Sequence, residues 1–134
     1  FSDHSAACPA GIAALTILED EDLVSASASK GEDFLARLRP LEGHAHVREV
    51  RGLGLMIGVE LVEDEESGEP YAPTAGMAAR VVAEALRRGV WVYPAGDGNA
   101  PDALLIGPPF TISEAEMDTV VTVLGDAVST VCGD

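Results

Sequence analysis

Apolar side chains first recur at helical intervals. "SAACPAGIAALTIL" places Ile12, Leu15 and Leu18 on one face and predicts a helix from Ser5 to about Leu18, with Pro9 tolerable in the first turn. A second helix is expected from about Asp22 to Arg39, with Leu23, Phe34 and Leu38 on one side and Pro40 ending it. The period then changes. "HVREVRGLGLMIGVELV" (46–62) is β-branched and aliphatic, and predicts one long strand, broken or bulged at its glycines. The acidic "EDEESGEPYAPTAG" reads as a loop, and Met77, Val81 and Leu86 mark a helix from about Thr74 to Arg88, with Gly89 just beyond. "VWVYP" (90–94) and "ALLIG" (103–107) read as short strands on either side of a turn. A last helix opens with Ser113 and Glu116 at capping-box spacing and continues through Met117, Val120, Leu124, Val128 and Val131. The order α-α-β-α-β-β-α predicts an α+β fold: a small, mostly antiparallel sheet of three to four strands with helices packed on one face.

Gly52, Gly54 and Gly58 invite comparison with a phosphate-binding turn. Such a turn needs a helix N-terminus directly after it, whereas "LMIGVELVE" is apolar and followed by acid. The expected role is glycine within strands, where another backbone or a ligand comes close. Arg51, beside Gly52, is either a surface arginine paired with nearby acid or a guanidinium fork for a ligand carboxylate.

Composition narrows the classes. The 134 residues suit one domain, and 47% hydrophobic content argues for a packed core. The net charge of −15 disfavours nucleic acid, and no apolar run reaches the roughly 18 residues of a membrane span. The acid of "EDED" (19–22) and of Glu60, Glu63, Asp64, Glu65, Glu66 and Glu69 reads as a solvated face, since calcium-loop spacing is absent. Cys8 and Cys132, far apart in sequence, suggest reduced thiols in a cytoplasmic protein. His44 and His46 form H-x-H, but no third ligand is suggested and no metal is expected. Trp91 and Tyr93 face the same side of a strand and are expected to serve packing. The chain opens on Phe1 within helix-like sequence, which suggests a trimmed or partial chain.

Four segments in order carry a family resemblance. "VREVRGLGLMIGVEL" resembles the small-domain strand of class III aminotransferases, pyridoxal-phosphate enzymes of fold type I. "HSAACPAGIAALTILEDEDLV" is similar to the helix after the family's Gly-His-Pro motif, with His4 on the His, although this chain reads Asp3-His4-Ser5. "EALRRGVWVYPAG" and "LLIGPPFTISEAEMD" resemble the Arg-Gly-Val element and the Pro-Pro segment that opens the last helix. The resemblance implies a C-terminal small domain of a larger enzyme, with residues 1–39 as a helical lead-in from the interdomain region and 44–134 as the sheet-and-helix core. It implies pyridoxal 5′-phosphate, an amino donor, a keto-acid or aldehyde acceptor, a missing large domain and a homodimer. It assigns substrate carboxylate binding to Arg51. It assigns the cross-dimer phosphate contact to a residue just before Phe1, or, with a two-residue slip, to Ser2. No catalytic residue is expected here, because the family's Schiff-base lysine lies upstream and Lys30, the one lysine, falls in a different segment. The chain alone is therefore expected to be inactive and without bound cofactor. The competing expectation is a non-catalytic interaction module that keeps this fold.

Overall fold

The computed structural model describes residues 6–64, 66–96 and 102–133. Two helices, α1 (Ala7–Asp20) and α2 (Leu23–Leu38), meet at Asp22, which takes a left-handed conformation at φ 47°. A short 3₁₀ segment, Arg39–Gly43, follows, with Pro40 in its first turn. Then follow β1 (Val47–Leu53), β2 (Met56–Leu61), α3 (Met77–Arg87), β3 (Tyr93–Ala95), β4 (Ala103–Ile106) and α4 (Glu114–Cys132). The strands form one antiparallel sheet in the order β1-β2-β4-β3.

The sheet and its helices match the expected α+β arrangement, with two corrections. The run 46–62 is a hairpin of two strands. Leu53 pairs with Met56 around a two-residue turn, Gly54–Leu55, with Gly54 at φ 55°. A left-handed residue is what a tight hairpin turn needs to match the twist of its strands. No helix begins at the glycines, so the phosphate-turn geometry is absent there. The bulge falls elsewhere, at Arg48, where the register shifts between Val47 and Glu49. In the second correction, β3 starts at Tyr93, and the hairpin reaches it only through β4.

Gly31 of α2 packs directly on Gly54. A Cβ on Gly31 would overlap the backbone of Gly54, so helix and hairpin turn touch main chain to main chain. The core lies between the helices and one face of the sheet: Phe34 and Leu38 from α2, Val50, Ile57, Val59 and Leu61 from the hairpin, Leu104 and Ile106 from β4, and Leu124 and Val128 from α4. Burying such side chains contributes about 1.5–3 kcal/mol each. By contrast α1 buries no residue, and Ile12 and Leu15 are exposed despite their helical spacing.

Polar groups fix the ends. Ser113 Oγ accepts from the Glu116 amide at 3.3 Å, while the Glu116 carboxylate accepts from the Ser113 amide at 2.8 Å, the capping box read from the sequence. The first turn of α3, with glycine at its N-cap, is closed from outside: Asp102 Oδ2 accepts from the Met77 amide at 2.9 Å. Glu42 Oε1 likewise accepts from the Val50 amide of β1 at 2.9 Å. Arg37 ties α2 to α4 through Asp118 at 2.6 Å.

Candidate functional site

Strand alternation puts Val50, Ile57, Val59, Leu104 and Ile106 toward the helices, so the residues between them belong to the opposite face. The register makes that face explicit. Arg51 lies opposite Gly58, Gly58 opposite Leu105, and Leu105 opposite Tyr93. One step along the strands, Glu49 pairs with Glu60, Glu60 with Ala103 and Ala103 with Ala95.

Arg51 is exposed, and its Nη1 donates to Glu49 Oε2 and Glu60 Oε2, both at 2.7 Å. Hydrogen bonding, first to Glu60 and then to Glu49, raises the guanidinium pKa above its ordinary value, so Arg51 stays cationic throughout the physiological range. Its Nε and Nη2 make no hydrogen bond among the described residues. Glu60 is the residue that composition misplaced. Grouped by sequence with the solvated acid, it is only 9% exposed, and its other oxygen lies 3.6 Å from Arg48 Nη1. A buried carboxylate requires such partners, since an unpaired charge there would be costly. The bulge at Arg48 brings a second arginine to it.

The remaining candidates fall away from this cluster. Lys30 Nζ donates to the carbonyls of Phe110 at 2.7 Å and Ile112 at 3.2 Å, which ties α2 to the segment after Pro108–Pro109. His46 Nδ1 lies 2.8 Å from the Tyr71 hydroxyl and 3.2 Å from the Val62 carbonyl. Burial pushes the Tyr71 hydroxyl pKa up, with a further rise from its hydrogen bond to Cys132, whose own thiol is raised by burial. Among the described residues no three His, Cys, Asp or Glu side chains come together as a metal site. Cys8 is exposed and Cys132 half-buried, and both are free thiols. Ser2 and His4 lie outside the described residues.

Sequence reasoning missed two features. Trp91 and Tyr93 do pack on each other, with ring centroids 4.5 Å apart at 55°, yet they remain 59% and 56% exposed instead of joining the core. Gly58 lies in the middle of the open face, and the nearest atoms to a Cβ built there are backbone oxygens of Arg51 and Leu104, both at 3.9 Å. Strand periodicity could have placed both on one face, but not the pairing of distant strands.

The family model described as Aminotransferase class-III matches residues 1–128. An adenosylmethionine-8-amino-7-oxononanoate aminotransferase of Nitratidesulfovibrio vulgaris is 35% identical over 128 residues, an alignment that covers 96% of this chain and 23% of that protein. A protein of the same name from Methanocaldococcus jannaschii is 32% identical, with 96% and 27% covered. The crystal structure of an (S)-enantioselective omega-transaminase from Thermomicrobium roseum superposes with a TM-score of 0.86 at 37% identity, covering 96% of this chain and 28% of that one. A PLP-bound amine transaminase from an uncultivated Pseudomonas species gives 0.83 at 39% identity, with 93% and 27% covered. The chain spans about a quarter of the length of each of these proteins.

Proposed function

Because the chain belongs to the class III aminotransferase family, we propose that it forms the small-domain part of a pyridoxal-phosphate-dependent enzyme that moves an amino group between an amino donor and a keto acid or aldehyde. In this reading the open sheet face is the substrate-side wall, and Arg51 orients the substrate carboxylate. The parent works as a cytoplasmic homodimer, and Ser2 is a candidate for a phosphate contact donated across it.

The described residues do not themselves fit the cofactor. A covalent amine and a phosphate cradle are needed, but Lys30 is held by two backbone carbonyls and the glycine run closes a hairpin with no helix behind it. Those parts belong to the rest of the parent protein, and no chemical step is assigned to this chain. What it contributes is position. Holding one end of a substrate in a fixed orientation removes rotational freedom before reaction, and a planar fork does so more directionally than a point charge.

The observation that carries this reading is the Nε–Nη2 edge of Arg51: among the described residues both acidic partners use Nη1, which leaves Nε and Nη2 for a bidentate carboxylate. Two relatives are named for 8-amino-7-oxononanoate, itself a carboxylate. In the full-length parent, Arg51→Lys is expected to raise KM for carboxylate substrates about ten- to hundredfold, as for a lost charge-assisted pair of about 1.5–3 kcal/mol. Amines and aldehydes without a carboxylate should be nearly unaffected. Unchanged KM for every carboxylate substrate would return Arg51 to the role of surface partner for Glu49 and Glu60.

A further inference from the structure

The open face presents more than an arginine. Its pairing register lines up Arg51, Gly58, Leu105 and Tyr93 across all four strands, with Trp91 against Tyr93 at the end of the line. Three strand spacings give this line a length of about 14 Å. One end carries the Arg51 guanidinium, paired through Nη1 with Glu49 and Glu60. The middle is bare backbone, because Gly58 contributes no side chain and leaves room for one. The far end is apolar and aromatic: Leu105 is 36% exposed, and the two rings are held against each other while still open to solvent.

We infer that the row Arg51–Gly58–Leu105–Tyr93, extended by Trp91, is a binding site for substrates that join a carboxylate to an apolar or aromatic body. The inference rests on the reading of Arg51 as the carboxylate contact and adds what lies beyond it. The carboxylate meets the Nε–Nη2 edge of Arg51. The body of the molecule crosses the gap over Gly58, where a side chain would block it, and its apolar end covers Leu105 and the ring pair. Two rings that already pack on each other lose little freedom when a third group stacks on them, so their exposed surface is prepared for contact.

The test uses the full-length parent with two keto acids, pyruvate and 4-phenyl-2-oxobutanoate, which share the carboxylate and differ in the body. Gly58→Val fills the gap with a residue suited to a strand, and Tyr93→Ala removes one exposed ring. Gly58→Val is expected to raise KM for the phenyl acid about tenfold and Tyr93→Ala about fivefold, with kcat and KM for pyruvate staying within about twofold. Thermal melts accompany both, and if Gly58→Val does not fold, Tyr93→Ala decides. Equal changes for the two acids, or none, would overturn the row. So would a lower melting temperature in Tyr93→Ala without a split between the acids, because the rings would then be covered by another part of the parent. Arg51→Lys keeps the two levels apart. If it raises KM for both acids while Gly58→Val and Tyr93→Ala do not separate them, the carboxylate contact stands and the row falls. If it changes neither, the carboxylate contact falls and the row with it.

Discussion

Gly31 stands in the middle of a helix, where alanine would ordinarily stabilise by about 1 kcal/mol. Here the gain is outweighed, because the new methyl group would meet the main chain of Gly54, which cannot rotate away as a side chain would. Gly31→Ala is expected to destabilise the fold by about 1–3 kcal/mol, the usual range for overpacking, as measured by urea unfolding. Glu116 makes a second residue-level case. Its hydrogen bonds from Ser113, the backbone amide first, hold its carboxyl below the ordinary glutamate range. A depressed folded pKa adds stability that is fully present above the unfolded pKa and is lost as pH falls through the folded one. Unfolding curves from neutral pH to about pH 3 should therefore show Glu116→Gln less stable than the parent at neutrality, with the difference closing in acid. The capping box was legible because both partners lie within four residues of sequence. Glu60 was not, because its burial depends on Arg51 and on a bulge that turns Arg48 toward it, and neither leaves a mark on local composition.

Among the elements, α2 is held in place by more than its buried face. Lys30 reaches across to two carbonyls of the segment that leads into α4. Lys30→Met keeps the apolar stem and removes the charged donor, so about 1–2 kcal/mol of stability should be lost in thermal or denaturant melts. Helices were the most readable elements, since α2, α3 and α4 begin and end within a few residues of where their caps, prolines and apolar periods place them. The hairpin was harder. Its turn, Gly54–Leu55, lacks the Asn-Gly or Asp-Gly pair that announces a tight turn, and apolar residues run straight through it. The strand at 90–94 was displaced for a related reason: Val90 and Val92 do alternate inward, but they pack into the core before ladder pairing begins at Tyr93. In α1 the apolar spacing indicated a helix correctly and a buried face incorrectly, because periodicity reports an amphipathic pattern and not what covers it.

In the molecule as a whole, the two sheet faces divide the work. One is sealed by helices and supplies most of the cohesion; the other carries a charge cluster, a bare glycine and two exposed rings. That division was visible in the sequence as alternation along each strand, but the alignment of Arg51 with Tyr93 was not, since it depends on the strand order β1-β2-β4-β3. The same order bears on how the chain assembles. Among the described residues β3 pairs only with β4, and β4 also supplies the second neighbour of β2, yet β4 is made after the other three strands. An isolated two-stranded hairpin is marginal in water, and long-range pairing must first offset the entropy of closing the intervening loop. As the chain is synthesised from its N-terminus, everything up to residue 102 can therefore supply helices and a hairpin but no four-stranded sheet, and arrival of the Ala103–Ile106 strand joins the separate pieces in one late step.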